Sequence, residues 1–437
     1  MIYILLISIG FFVFVRIQLE KYLGVDVDWH LLLHVITLAI GCLAALRIIY
    51  VGKIKYHKNE MFFLGGGIVF LIAGLFSIKN GFFITLWGIY EYLYMFLLMY
   101  FISFFFPNEK DIVIIWKSFS FLSFFIICTA LYQHIEFQLN RAGIMPSLIF
   151  SSPPEEAIRM GILRPPSLVG TTSEWGMFVL LYFIAKLAID SFKISAINFM
   201  ALISILTAAT RSLYICFVAV VLMMLFVMTK KNIHRSFDVV TKLFVFHNYK
   251  NTRFFLLALS LLSMFVIVVV LVYAMAGNID YTQGEGTLRG YAFLVAEGIK
   301  NKTTGLGPGM FGSYVSFVLD SPYVKNVTAF IFADAMRIKT IDSFWLQLFI
   351  ETGWFGVIMQ FVIFLGLYIV MKRIWHDTSH PIIKSTAFSS MFIPIIYIFN
   401  GLGFTSFMPT FVVWSSLLAG VCLGYFRYRR EGRVECD

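Results

Sequence analysis

Phe82-Phe83-Ile84-Thr85-Leu86-Trp87-Gly88-Ile89-Tyr90-Glu91-Tyr92-Leu93-Tyr94-Met95-Phe96-Leu97-Leu98-Met99-Tyr100-Phe101-Ile102-Ser103-Phe104-Phe105-Phe106 carries a single charged residue, Glu91. A helix of ~20 mostly apolar residues crosses the hydrocarbon core of a bilayer. Lipid offers backbone groups no partners, so such a run bonds internally as a helix. Comparable runs lie at 1–18, 30–49, 61–78, 112–132, 174–190, 194–209, 212–228, 254–276, 343–370, 386–402 and 405–426. With the quoted run they give about twelve spans, the first and the 194–209 span being short. The expected fold is an all-α polytopic integral membrane protein, one transmembrane domain over residues 1–437.

Composition supports this. The chain is 60% hydrophobic and 18% aromatic, with 49 Phe and 21 Tyr, and only 13% charged. A soluble domain carries roughly a quarter charged residues. A chain this apolar could not cover a soluble surface, and disorder needs the opposite balance. The apolar N-terminal run lacks a basic leader and a small-residue cleavage site, so it reads as a retained span. Cys42, Cys128, Cys216, Cys422 and Cys436 are scattered, with no CxxC, which excludes a disulfide framework and a zinc site of that type.

The net charge of +10 reads as a topology signal and not as a nucleic-acid footprint. Lys and Arg are dense in 47–60, 107–111, 190–195, 229–253, 371–385 and the tail from 425, which places these segments in the cytoplasm. Both termini then come out cytoplasmic. Two long loops, 133–173 and 277–342, face the other side and exceed what a connection requires. Within the second, residues 288–299 form an amphipathic helix with Tyr291, Leu294, Val295 and Ile299 near one face. No internal repeat of the kind found in inverted-repeat transporters is visible.

Intramembrane ionisable groups are costly and attract a functional reading. Glu91 is either a carboxyl bonded to a neighbouring helix, the plainer reading, or a proton relay or substrate ligand. Lys117 and Lys186 fall near cytoplasmic ends of their spans and can snorkel. His30 and His34 stand one turn apart, but with no third ligand in proper spacing they read as interfacial packing.

A stronger pattern lies on the outer side. Arg164 opens Arg164-Pro165-Pro166-Ser167-Leu168-Val169-Gly170-Thr171-Thr172-Ser173-Glu174-Trp175-Gly176, Arg211 sits between two apolar runs, and Arg289 begins the stretch leading to Gly305-Leu306-Gly307-Pro308-Gly309-Met310-Phe311-Gly312. Three guanidinium groups on one membrane face can grip a diphosphate bidentately. Gly305, Gly307 and Gly309 permit close backbone approach, and backbone N–H groups can hold anions. By spacing alone the plainer readings come first: arginines at span ends bind lipid headgroups, and Gly-Pro-Gly turns the chain. The run lacks the Gly-Lys-Ser/Thr ending of a nucleotide P-loop.

These pieces resemble the O-antigen polymerase and ligase superfamily. Leu288-Arg289-Gly290-Tyr291 followed by Gly305-Leu306-Gly307-Pro308-Gly309-Met310-Phe311 is similar to its loop signature, in which an Arg begins a helix that ends in a glycine-rich turn. Asp342-Ser343-Phe344-Trp345-Leu346-Gln347-Leu348-Phe349-Ile350-Glu351-Thr352-Gly353-Trp354-Phe355-Gly356 resembles the segment entering the next span, with its Glu-x-Gly-x-x-Gly ending kept. Thr-x-x-x-Arg-Ser at 207–212 resembles a Thr-x-Ser-Arg-Ser element. The stretch from Arg164 resembles an outer loop with arginine, and 159–170 fits an Arg-x10-Gly spacing.

The resemblance implies a GT-C-like glycosyltransferase in the bacterial inner membrane, with its site facing the periplasm. Its substrates would be undecaprenyl-diphosphate-linked oligosaccharides, both donor and acceptor, and a chain-length-regulating co-polymerase is a possible partner. Asp342-Ser343 stands where the ligase branch has His-Asn, which favours a Wzy-type polymerase over a ligase. On this reading Arg289 and Arg211 stabilise the leaving diphosphate, with Arg164 third. Asp342 is either the base that takes the acceptor proton or the N-cap of the following span. Gly305, Gly307, Gly309 and Glu351 belong to the substrate-binding region, Glu351 as a hydrogen-bond acceptor in packing. No metal or other cofactor is expected, since arginines supply the positive charge a divalent ion would bring. Ligation of glycan to a lipid A core and flipping of a lipid-linked oligosaccharide remain the alternatives.

Overall fold

The computed structural model describes residues 3–11, 29–51, 67–68, 72, 74–75, 81–105, 107–141, 158–159, 162–163, 172–208, 211–229, 295–296, 298, 305–311, 344–400 and 409–430. The described helices are α1 (Trp29–Val51), α2 (Phe82–Ile102), α3 (Glu109–Arg141), α4 (Thr172–Ile189), α5 (Ala196–Thr207), α6 (Arg211–Thr229), α7 (Phe344–Asp377), α8 (Pro381–Ser390), α9 (Ile393–Asn400) and α10 (Pro409–Arg430). Residues 3–11 are also helical. The described residues are almost entirely helical. A two-residue antiparallel pair, β1 (Ile158–Arg159) with β2 (Ile162–Leu163), is a small departure from the all-α expectation. Among the described residues, six stretches are long and apolar enough to cross a membrane: Leu32–Tyr50, Phe82–Phe105, Glu109–Leu139, Phe344–Asp377, Pro381–Phe399 and Thr410–Arg427. The expected spans at 1–18 and 61–78 lie partly outside the described residues, and that at 254–276 wholly.

Local chemistry sets the helix ends. Gly81, at φ 132°, precedes α2. Its carbonyl accepts the first bond of that helix, from the Thr85 amide at 3.0 Å. Past Ile102 the chain tightens into a 3-10 turn, Ser103–Phe105, and Pro107 has no N–H with which to continue. Asn108 and Asp111 then cap α3 reciprocally: the Asp111 amide donates to Asn108 Oδ1 at 2.8 Å and the Asn108 amide to Asp111 Oδ2 at 3.2 Å. Glu109 and Asp111 in that first turn also complement the helix dipole.

Two boundaries differ from the hydropathy reading for identifiable reasons. α3 continues to Arg141, into the segment expected as outer loop, because its polar residues Gln133 and Glu136 lie one turn apart on a buried face. The expected 386–402 span begins at Pro381 and divides at a turn through Met391 and Phe392. His380 caps α8, its Nδ1 accepting from the Ile383 amide at 3.4 Å, and Pro381 suits the first helical position. Lys384, Ser385 and Thr386 dilute the hydropathy there, yet the Thr386 hydroxyl donates to the Ile382 carbonyl at 2.7 Å and so costs the helix little.

The bundle is organised around α10, whose apolar stretch Thr410–Arg427 is wholly buried. It runs beside α2 with Ser416, Gly420 and Gly424 at four-residue spacing. The Ser416 hydroxyl donates to the Met95 carbonyl at 3.0 Å. A Cβ on Gly420 would stand 2.6 Å from the Met99 carbonyl oxygen, and one on Gly424 would stand 2.9 Å from that of Ser103. Both series rise by four, so the helices are parallel and in register. Apolar association gains little in lipid, and small residues compensate by letting backbones touch. At the far end of this seam Arg427 is buried. Its Nη1 donates to Ser103 Oγ at 2.6 Å, and its guanidinium lies 4.8 Å and 4.7 Å from the ring centroids of Tyr100 and Phe104.

α4 also runs parallel to α10. The Glu174 carboxylate accepts from the Thr410 amide, and one turn on, the Phe178 ring meets Trp414 at 6.2 Å. Phe119 of α3 meets Trp414 at 5.8 Å, and the Trp414 indole donates to the Gly10 carbonyl at 3.4 Å. α7 folds back on itself at Gly353, Trp345 of its first limb stacking on Phe361 of its second at 4.9 Å; Phe344 lies against Tyr92 and Phe364 against Phe96, so the second limb runs with α2 and the first against it. The starts of α2, α4 and α10 and the Gly353 turn of α7 therefore share one end of the bundle.

Candidate functional site

The site is built on a break in α7. Gly353 sits at φ 65°, ψ −166°, a conformation that interrupts the helical ladder and that glycine adopts without a Cβ penalty. The interruption leaves the carbonyls just before it needing donors. The Gly305–Phe311 loop supplies them: the Leu306 amide donates to the Ile350 carbonyl at 2.9 Å and the Gly307 amide to the Glu351 carbonyl at 2.7 Å.

The Glu351 side chain takes the next two amides. Gly309 N–H donates to Oε2 at 2.7 Å and Phe311 N–H to Oε1 at 2.8 Å. The Tyr92 hydroxyl of α2 donates to Oε2 at 2.8 Å and itself accepts from Gln347 Nε2 at 3.2 Å. Glu351 is fully buried, and Tyr92 and Gln347 nearly so. Glu91, adjacent to Tyr92 on α2, is buried as well. A carboxylate has about four lone-pair positions, and here three donors fill most of them.

The loop is wedged between α2 and α7. Gly309, at φ 77°, passes so close to α2 that an added Cβ would stand 2.4 Å from the Ile84 carbonyl oxygen. From the other side, a Cβ on Gly88 would stand 2.2 Å from the Gly309 nitrogen. An apolar patch completes the docking: Ala296, Phe311 and Ile350 pack together, joined by Val295, Leu306, Leu346 and Phe349. The described residues of the expected 288–299 helix, Val295, Ala296 and Gly298, are helical.

Four of the residues singled out in the sequence are thus brought together: Gly305, Gly307, Gly309 and Glu351. The amides of Gly307 and Gly309 are directed at α7 and its carboxylate, so the loop's N–H groups bind protein here and not an external anion. Of the two readings of the glycines, the chain-turning one describes the Gly307 and Gly309 amides. The physical reason is the kink, whose freed carbonyls and buried carboxylate compete for the same donors. The chemistry of Glu351 is that of an anchor. Arg211 is the first residue of α6, and its side chain lies outside the described residues. Arg164, Arg289 and Asp342 lie outside them entirely.

Tyr92, Gln347 and Gly88 were not singled out in the sequence. A signal for them exists. Gly88, Glu91 and Tyr92 share one face of α2 at spacings of three and four, and Gln347 and Glu351 are four apart on α7. His34 is buried, its ring edge-on to Trp87, Tyr90 and Tyr94 at 5.9, 5.0 and 5.7 Å. The side chain of its expected neighbour His30 lies outside the described residues. Among the described residues no group of three His, Cys, Asp or Glu is arranged to hold a metal ion. No family model and no curated protein matches the chain.

Proposed function

We propose that the protein is a glycosyltransferase that polymerises undecaprenyl-diphosphate-linked oligosaccharide repeat units at the periplasmic face of a bacterial inner membrane. The proposed topology has twelve spans of a GT-C-like kind, with both termini cytoplasmic. One observation carries the reading. The two sequence blocks that resemble the polymerase and ligase superfamily, the Gly305–Phe311 turn and the Glu351-x-Gly353-x-x-Gly356 run, are hydrogen-bonded to each other as a single unit between α2 and the reversal of α7. That coupling is what two separated motifs of one site require.

In the proposed reaction the acceptor's terminal sugar hydroxyl attacks the anomeric carbon of the donor. A new C–O bond forms and the bond to the diphosphate oxygen breaks, the leaving diphosphate keeping the electron pair. Asp342 takes the hydroxyl proton. Arg289 and Arg211 neutralise the charge developing on the departing oxygens, with Arg164 beside them. Losing one such preorganised donor costs ~3–4 kcal/mol of transition-state stabilisation. The glycines shape the turn, and Glu351 holds it.

The test is incubation of the purified protein with lipid-linked repeat units alone. A growing product ladder, without nucleotide or added metal, is expected. Arg289→Ala or Arg211→Ala in protein expressed at normal levels should abolish it, and an undiminished ladder removes that residue from the machinery. A second reading, a flippase for lipid-linked oligosaccharide, is favoured by the carboxyl side chains of Glu91, Glu174 and Glu351 buried among apolar helices. Translocation in proteoliposomes without elongation would decide for it. Transfer of glycan to a lipid A core in place of chain growth would decide for a ligase.

A further inference from the structure

We infer that Glu351 is a positioning residue: its carboxylate pins the Gly305–Phe311 loop between α2 and α7 and so sets where the arginine-bearing stretch before that loop meets the lipid diphosphate. The inference rests on the glycosyl-transfer reading and goes beyond it in assigning a device that aligns the site.

The argument starts from cost. A carboxyl side chain enclosed by apolar helices is expensive unless its oxygens are bonded. Glu351 meets that condition through two amides of one loop and a hydroxyl of a different helix. The same loop closes the gap in the α7 ladder through Leu306 and Gly307. Four loop amides are therefore committed to one helical turn, and two of them depend on the Glu351 side chain. Removing that side chain takes the carboxylate acceptor away from the Gly309 and Phe311 amides.

The position of the loop is passed upstream by packing. Phe311 and Ile350 form one apolar cluster with Ala296 and Val295. Arg289 stands a few residues before Val295 in the chain. A helical turn resting on Phe311 follows wherever Phe311 is held. Glu351 is fully buried and acts at a distance from the reacting atoms, through the turn it fixes.

Glu351→Gln is the informative change. It keeps the shape, but an amide has one acceptor oxygen and a nitrogen that only donates. Whichever way it is turned, the nitrogen faces at least one of the Gly309 amide, the Phe311 amide and the Tyr92 hydroxyl. Glu351→Asp keeps two acceptor oxygens on a shorter stem. Tyr92→Phe removes one donor and leaves both loop amides bonded, so it changes less than Glu351→Gln.

Two measurements on the full-length protein in nanodiscs, hydrogen exchange over residues 305–311 and ladder kinetics with lipid-linked repeats, separate the possibilities. Glu351→Gln should speed exchange of those amides about tenfold, the factor that one lost buried hydrogen bond represents. It should lower kcat by up to about 100-fold, the cost of a small misplacement, with KM within about threefold. Glu351→Asp should restore both readouts together, in part. Faster exchange with unchanged kcat overturns the positioning role, and unchanged exchange in Glu351→Gln overturns the hold itself. If Glu351→Gln does not assemble, Tyr92→Phe carries the test: kcat and loop exchange must move together, and independence of the two overturns the inference. A wild-type protein that makes no ladder, while its loop amides are protected, overturns the glycosyl-transfer reading and the positioning role with it. The hold would then stand on the exchange data alone.

Discussion

Gly309 shows how much a single position constrains this site. A side chain there meets two penalties, a left-handed backbone and an Ile84 carbonyl oxygen 2.4 Å from the new Cβ. Gly309→Ala should cost about 2–5 kcal/mol, summing the strain of the left-handed region and of overpacking. Thermal unfolding in detergent should register a clear fall in Tm. Gly298 is the matched control, since an added Cβ there meets nothing within 4 Å. Gly298→Ala should leave Tm unchanged or raise it slightly, by up to about 1 kcal/mol if the helical backbone gains order. Equal effects at the two positions would mean that the loop is not wedged against α2. The glycines and Glu351 were legible in the sequence because both lie in motif-like blocks. Tyr92 was not, because one tyrosine among 21, in a span already rich in aromatics, carries no signal of its own. Its role depends on a helix far along the chain, since Glu351 lies 259 residues after Tyr92.

At the scale of the element, hydropathy located the helices well where composition is uniform and less well where function or packing dilutes it. α2 begins at Phe82, as read. α8 begins before its apolar run because a capping histidine and a proline start it, and these act through geometry to which hydropathy is blind. The seam between α2 and α10 was likewise invisible to a hydropathy reading, although Ser416, Gly420 and Gly424 write it out as small residues every four positions. Gly420→Ile tests it. A branched side chain facing the Met99 carbonyl and the Ile102 side chain must push the two backbones apart. The expected outcome is loss of assembled, monodisperse protein on size exclusion, while membrane insertion is retained. Normal assembly would mean that the two helices do not need to touch. At the end of the same seam, Arg427→Met should be tolerated better than Arg427→Ala. Met keeps the packing against Tyr100 and Phe104, whereas Ala opens a cavity between the rings.

For the whole molecule, the directions of a few described helices can be set beside the alternation expected from charge. Helices expected to run the same way, α2, α4, the second limb of α7 and α10, lie parallel, and α3 runs against α4, with Phe119 opposite Phe178 and Trp116 opposite Tyr182. The sidedness can be measured directly. In a cysteine-free background, single cysteines at the exposed Asn108 and Ser379 should react with an impermeant maleimide from one face of the membrane, and a cysteine at Gly81 from the other. Labelling of Asn108 and Gly81 from the same face would break the proposed topology. What the sequence could not convey is enclosure. Charge density assigns sides and hydropathy assigns spans, but neither says which helix the others surround, because lipid tails are as apolar as the side chains of a neighbouring helix.

That enclosed helix is α10, and it is translated after every other helix described here. The earlier spans must wait in the bilayer with their inward faces against lipid or against each other until it arrives. Assembly is then a late, concerted closure and not a stepwise accretion during synthesis. Membrane quality control would meet the unclosed bundle as its ordinary substrate. A stop codon just before Pro409 should accordingly yield a protein that inserts, never consolidates and is cleared within a short half-life in pulse-chase.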